Sequence, residues 1–229
     1  MPKYRYIALA TASLMLLGAP ASAAYAASSH KSAKPVLTTG KKGGPAVKKG
    51  AVLKASLAAH TTVALAIGSF AATCKSSSIK ARVTANPSRA GKATLSVTGE
   101  SISKCSISVA GVTLKSLTAL NLPYAGTVSA AKHDPVTIAE SKKSKPLGFK
   151  AVISVGATSA TCVFTATKVS GRASNTGNKV TFKAQPFVLD ASASSLLCAE
   201  AGASKATFSA TYGPLRDTSV KHSPKVFVS

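Results

Sequence analysis

Short runs in which apolar and polar residues alternate recur from residue 51 onward, and they constrain the fold more than any other feature. The run at 79–85 places Ile, Ala, Val and Ala at every second position, between Lys, Arg and Thr. Similar runs lie at 93–98, 105–109, 149–155, 180–184 and 208–212. Such alternation is typical of strands with one buried and one solvated face. No long segment has a helical period, so the sequence predicts an all-β protein.

Turn-forming residues separate these runs. They lie at 86–87, 90–91, 98–99, 175–178 and 212–214. Many short strands at this spacing predict an antiparallel β-sandwich or β-barrel. The chain has no Trp and few other aromatic residues, so we expect a core of small, often β-branched side chains, which suit pleated strands.

The two halves of this region share a weak internal repeat. Ala-Thr-Cys at 72–74 recurs at 160–162. Three further matches follow at a similar offset, namely Asn86 with Asn175, Cys105 with Cys198 and Tyr124 with Tyr212. We interpret the matches as a duplication with halves at 51–140 and 147–229, although chance agreement among abundant Ala and Thr residues is the alternative.

Four cysteines are expected to form two disulfides if the chain is exported, because the compartment outside the cytoplasm is oxidising. Four cysteines allow three pairings, and their spacing alone does not choose among them. The repeat favours one bridge in each half, Cys74–Cys105 and Cys162–Cys198. A metal site built from all four is disfavoured, since the chain has no Cys-x-x-Cys pair.

The N-terminus has the layout of a secretory signal peptide. Two cations precede an apolar run at 7–17, and small residues suited to cleavage end at Ala23 or Ala26. The run is shorter than a membrane-spanning helix requires. We therefore expect residues 1–26 to be removed, leaving a secreted protein that is free or associated with the cell wall. No Arg-Arg pair precedes the run, which favours the general secretory route over the twin-arginine route.

The chain is strongly basic, with 29 Lys and Arg residues against 6 Asp and Glu and a net charge of +23. Removing the signal peptide takes away two cations and no acid, which leaves +21. Such a charge attracts anionic polymers in a salt-dependent way. We expect an anionic cell-wall polymer or another polyanion as partner, and the alternative is that the charge only keeps the protein soluble.

Residues 27–50 contain six lysines and no acid, a composition that predicts a basic disordered arm. The arm would act as a spacer or as an electrostatic tether to the wall. A second basic loop lies at 141–146. The candidate polyanion-binding residues are the lysines of these two segments: Lys41, Lys42, Lys48, Lys49, Lys142, Lys143 and Lys145.

Catalytic chemistry has little support in the sequence. No nucleophile elbow, phosphate-binding loop or zincin motif is present. We interpret the acids as counter-charges for lysines and the histidines as surface residues: Glu100, Asp134, Glu140, Asp190, Glu200, Asp217, His30, His60, His133 and His222. The chain is expected to be no enzyme and to hold no metal or cofactor.

Binding is the remaining class of function. Aromatic residues are not interleaved with cations, so no sequence-specific nucleic-acid binding is expected. Phe164, Phe182 and Phe208 occupy apolar positions and are predicted to pack in the core. Tyr124 and Tyr212 are predicted to end equivalent strands with their hydroxyls reaching a loop. The alternative to an envelope protein is an extracellular carrier with an apolar pocket for a small ligand between its sheets.

Several motifs resemble a family of secreted actinobacterial proteins often catalogued as "Tat pathway signal sequence domain" proteins. The resemblance rests on VTANP at 83–87, residues 91–105, NLPY at 121–124, TCVF at 161–164, GRASN at 171–175, FSATYGP at 208–214, and residues 217–219 and 226–228. It covers most of 51–229 and implies secretion and a β domain with paired cysteines. The family has no established activity, so the resemblance transfers no catalytic residues.

Overall fold

The computed structural model of the protein describes residues 34–68, 70–89, 91–142 and 145–229. Strands make up 63% of the structure and helices 4%, which confirms the all-β prediction. The described residues belong to one compact unit. The predicted signal peptide at 1–26, and the first part of the predicted arm at 27–33, lie outside the described residues.

The alternating runs form strands, and several of these are longer than the sequence predicts. The described strands are β1 (Leu37–Thr39), β2 (Val52–Ser56), β3 (Val63–Ile67), β4 (Phe70–Arg89), β5 (Lys92–Ile107), β6 (Val112–Leu120), β7 (Tyr124–Ser129), β8 (Pro135–Ala139), β9 (Leu147–Val155), β10 (Thr158–Ala166), β11 (Lys168–Ser174), β12 (Lys179–Leu189), β13 (Lys205–Tyr212), β14 (Arg216–Asp217) and β15 (Val226–Val228). A 3-10 turn at Ala191–Ala193 and a short helix α1 (Leu196–Glu200) separate β12 from β13.

Eight of these strands close into an antiparallel barrel. Around the ring, the order is β3, β4, β5, β7, β8, β11, β12 and β13, and β13 pairs with β3 again. The ring follows chain order, as in up-and-down barrels. Strands from 51–140 and from 147–229 complete it together, so these stretches are not separate domains.

A second sheet extends from the barrel wall. It contains β6, β9 and β10, and β10 joins it to β12. Phe149 and Phe164 stack within it, with ring centroids 5.2 Å apart. The predicted core residues Phe164, Phe182 and Phe208 are buried.

Both disulfides form with the predicted pairing. Cys74 and Cys105 lie opposite each other on β4 and β5, whereas Cys162–Cys198 ties β10 to α1.

Two of the predicted turns are wrong. Residues 86–87 lie within β4, and residues 98–99 lie within β5, where Thr98 is an extra residue between the pairs Lys80–Gly99 and Ala81–Val97. Such a bulge lets a strand continue while changing its local twist. The predicted turn at 175–178 does connect β11 with β12.

The predicted disordered arm is also wrong over residues 34–50. Here β1 pairs with the C-terminal strand β15, and the side chains of Val36, Leu37 and Val47 are buried. Lys41 and Lys42 lie in exposed positions between Leu37 and Val47, and Lys34, Lys48 and Lys49 are exposed on either side of these apolar anchors. Because the anchors cover one end of the barrel, burial of apolar surface orders the segment despite its charge.

The Asn86 side chain holds this segment in place. Its Oδ1 accepts hydrogen bonds from the N–H groups of Val36 and Leu37 at 2.9 and 2.8 Å. Its Nδ2 donates to the carbonyls of Leu37 and Val47 at 2.7 and 2.9 Å. One amide therefore satisfies four backbone groups of the N-terminal segment.

Asn175, which matches Asn86 in the internal repeat, holds β15, the strand that pairs with β1. Its side chain donates to the carbonyl of Val228 at 2.8 Å and accepts from the N–H of Val228 at 2.9 Å. Val228 lies opposite Leu37 in the β1–β15 register. The two asparagines thus bracket the small sheet from both of its edges.

Replacing Asn86 with alanine is expected to release the N-terminal segment. Four hydrogen bonds at about 1 kcal/mol each would lower the free energy of unfolding by about 2–4 kcal/mol. Trypsin should then cleave after Lys41, Lys42, Lys48 or Lys49 at least tenfold faster than in the wild-type protein. An unchanged cleavage rate would mean that burial of apolar side chains alone holds the segment.

Candidate functional site: a cationic groove on the barrel wall

Three cations form a row across neighbouring strands on the outer wall of the barrel. Lys54 on β2 lies opposite Lys80 on β4, and Arg216 on β14 lies opposite Lys54. All three side chains are exposed. Like charges directly opposite each other destabilise a sheet, so the row gives up stability unless an anion compensates its charge.

A row of hydroxyl groups runs parallel to the cations, two residues along the same strands. Ser56 lies opposite Ser78, and Ser78 lies opposite Ser101 on β5. The hydroxyls of Ser78 and Ser101 are 2.8 Å apart. Because side chains two residues apart share one face of a strand, both rows line the same groove. Thr218 completes its lining, and the groove has a volume of about 540 Å³.

The charge in this groove is not neutralised from within the protein. Among the described residues, Lys54 and Lys80 have no hydrogen-bond or ion-pair partner. The Arg216 guanidinium donates to the carbonyl of Ser223 at 2.9 Å, which orients it without cancelling its charge. Glu100 is the one acid along this lining, and its side chain points to the other side of the wall, as described below.

Asp217 fixes the short strand that carries Arg216. This carboxylate is 1% exposed, and its Oδ1 accepts a hydrogen bond from the Ser219 N–H at 2.9 Å. The Ser219 hydroxyl in turn accepts from the N–H of Val52 at 2.6 Å. Asp217 is therefore a structural anchor of β14, and its interpretation as a counter-charge for lysines is wrong.

The structure does not bring the predicted polyanion-binding lysines together. Four of them belong to the segment that was predicted to be a disordered arm. They lie near one end of the barrel, in the turn after β1 or just before β2: Lys41, Lys42, Lys48 and Lys49. Lys142 and Lys145 follow β8 at the other end, near the start of β11. Lys143 lies outside the described residues.

The groove residues Lys54, Lys80 and Arg216 were missed by the sequence interpretation. Each is an ordinary polar position on the solvent face of a strand, and no local motif distinguishes it. The signal lies in the strand register, which a single sequence does not contain.

Glu100 lies inside the barrel, where its interpretation as a counter-charge for lysines is wrong. Its neighbour across the sheet is Ile79, whose side chain lines the barrel interior. The Glu100 Oε1 accepts a hydrogen bond from the Tyr212 hydroxyl at 3.4 Å, and that hydroxyl is 3.0 Å from the hydroxyl of Ser77. The surrounding side chains are otherwise mostly Leu, Ile, Val and Phe, around a space of about 60 Å³.

Burial among apolar side chains raises the pKa of the Glu100 carboxyl to about 7, and the hydrogen bond with Tyr212 offsets part of this rise. Glu100 as a residue keeps some exposure because it also borders the outer groove. The group can hold or release a proton near neutral pH, but the residues lining this interior space include no second carboxylate or histidine to act with it.

The two repeat-related tyrosines differ in their surroundings. The Tyr124 hydroxyl lies within hydrogen-bonding reach of the carbonyls of Leu120, the last residue of β6, and Gly148 in β9. Tyr124 begins β7, so the prediction that it ends a strand with its hydroxyl reaching a loop is wrong. The Tyr212 hydroxyl instead faces Ser77 and Glu100 in the barrel interior. Burial and the nearby Glu100 raise the pKa of both phenols, so both are neutral hydrogen-bonding groups.

The other candidate chemical groups are dispersed. His60, His133 and His222 are exposed, each with a positive φ, and His30 lies outside the described residues. In the described part of the chain, no three His, Cys, Asp or Glu residues are grouped as a metal site would require. Among the same residues, no helix combines the length and the apolar character that crossing a bilayer requires.

Comparison of the chain with protein-family models, with curated proteins and with solved structures finds no match. The groove therefore has to be interpreted from its own geometry and charge.

Proposed function

We propose that this protein is a secreted, non-catalytic binding protein that attaches to anionic polymers of the cell envelope through the cationic groove. The observation that carries the proposal is the uncompensated row of Lys54, Lys80 and Arg216 beside a parallel row of hydroxyls. Cations attract phosphate or carboxylate groups, and hydroxyls can hydrogen-bond to their oxygens or to neighbouring sugars.

A role outside the cell is supported by three features. The first 26 residues have the layout of a signal peptide. Two disulfides join the cysteines, as expected in an oxidising compartment. The resemblance to secreted actinobacterial proteins points the same way.

An extended polymer fits the groove better than a small anion does. The cations lie on exposed strands rather than at the base of an enclosed pocket, so each contributes modestly and the total depends on several contacts. Binding should therefore be salt-dependent, with little preference for sequence or linkage in the polymer.

Neutralising the groove is expected to weaken binding to purified polyglycerol phosphate. The combined variant Lys54→Gln, Lys80→Gln and Arg216→Gln should lower the affinity by about 10- to 100-fold, since each charge contributes up to about 1 kcal/mol. Affinity should be measured between about 0.05 and 0.5 M salt, where the wild-type protein should show the steeper decline.

The control carries the same change in charge elsewhere. The control substitutions lie after the end of β8 and at the start of β11: Lys142→Gln, Lys145→Gln and Lys168→Gln. In the ring of eight strands, β11 is four strands away from β4, which carries Lys80. This control should lose about threefold or less. Equal losses in both variants would assign binding to net charge, and no wild-type binding would leave the charge as a solubility device.

A further inference from the structure

A large apolar cleft lies between the barrel and the second sheet, away from the cationic groove. One wall is the end of the long β4–β5 hairpin, including Phe70 and Ile107. The other is formed by β9, β10 and α1, including Ile153 and Phe164. The cleft has a volume of about 340 Å³, within the usual range for small-molecule sites.

The lining of this cleft carries no charged or hydroxyl-bearing side chain among the described residues. It consists of aliphatic and aromatic side chains with one cystine, and six of the lining residues are alanines. The small alanine side chains leave the space open. An unfilled apolar space forfeits the dispersion contacts that its walls would make with a filling group.

Both disulfides brace the walls of the cleft. Cys74 and Cys105 cross-link β4 and β5 two residues from Ala72 and Ile107, which lie opposite each other and line the cleft. Cys162–Cys198 belongs to the lining itself and ties α1 to β10. Each disulfide thus stiffens one wall of the cleft, and a site with rigid walls loses less entropy when a ligand binds.

The rim of the cleft presents apolar surface to solvent. Val155, at the end of β9, lines the cleft and is 43% exposed. Val109 and Ala110 of the β5–β6 connection also line the cleft, so an apolar molecule that enters beside Val155 would meet apolar side chains.

We propose that this cleft is a binding site for an uncharged, apolar small molecule. A charged ligand would lose its hydration there without gaining a hydrogen-bond partner, whereas a hydrocarbon-like ligand would fill the space and displace water from apolar surface. The inference does not rest on the proposed polymer binding, because the two sites share no residue.

The test is titration of the purified full chain with the neutral fluorescent probe N-phenyl-1-naphthylamine. An uncharged probe avoids simple attraction to the basic surface. We expect saturable binding with one probe per chain. Val155→Lys, which places a charge at the rim, and Val112→Trp, which fills the cleft, should each weaken probe binding at least tenfold.

The matched control is Val188→Lys. Val188 is 57% exposed on β12 and does not line the cleft, so this variant adds the same charge without obstructing the site and should bind like wild type. Circular dichroism would establish that each variant is folded, and Val155→Lys carries the test if Val112→Trp does not fold. Absence of saturable binding, or equal affinity in Val155→Lys and wild type, would overturn the proposal.

Discussion

Replacing Glu100 with glutamine is expected to raise the free energy of unfolding at pH 8 by about 3 kcal/mol. The carboxyl lies among apolar side chains, and its pKa rises from 4.5 to about 7 on folding. Each pKa unit corresponds to about 1.4 kcal/mol. Glutamine keeps the shape and can still accept a hydrogen bond from Tyr212, but it has no charge to bury and takes up no proton on folding.

The sign of the pH dependence follows from the same shift. Between pH 4.5 and about 7 the folded protein binds a proton that the unfolded chain has released, so wild-type stability falls as pH rises through this window. Below pH 4.5, Glu100→Gln and wild type should be equally stable. Above about pH 7 the variant should unfold at a temperature roughly 10 °C higher.

Urea unfolding at several pH values would measure this effect. Glu200→Gln is the matched control, because it removes the same charge from an exposed position. If both variants gain the same stability over the wild-type protein at pH 8, the gain arises from the change in net charge and not from the burial of Glu100.

Removing either disulfide is expected to lower the free energy of unfolding by about 4 kcal/mol. The bridges close loops of 31 and 36 residues, and their main effect in the chain-entropy model is to restrict the unfolded chain. Because the loops are similar in length, Cys74→Ala with Cys105→Ala and Cys162→Ala with Cys198→Ala should lose similar amounts.

Chemical denaturation of the two double variants would compare them directly. A much larger loss for the Cys162–Cys198 pair would show that anchoring α1 to β10 matters in the folded state. A loss below about 1 kcal/mol in either variant would contradict the entropic account and would mean that the unfolded chain is already restricted there. Only the second pair lines the apolar cleft, so its removal should also weaken binding of the neutral probe.

The sequence by itself determined the strand content, the disulfide pairing and the in-and-out pattern of strand stretches that contain no bulge. Alternation at 79–83 was sufficient because a strand has a period of two wherever one face is buried, whereas the pairing with β5 shifts between Val83 and Ala85. The cysteine pairing followed from matching positions in the two halves. The similar roles of Asn86 and Asn175 are consistent with that repeat, although the repeat did not predict which backbone groups their side chains bond.

The position of Glu100 shows what alternation alone misses. Counting by twos from the inward-facing Val97 would place Glu100 on the solvent face. Thr98 is an extra residue opposite β4, and this bulge reverses the phase. Glu100 therefore points into the barrel.

Tertiary structure alone decided where the two proposed binding sites lie. Lys54, Lys80 and Arg216 are distant in sequence and become neighbours only through the register of β14, β2 and β4. The apolar cleft exists because β6, β9 and β10 leave the ring and pack beside the β4–β5 hairpin. Strand pairing over long sequence distances depends on ring closure and bulges, which local residue patterns do not encode.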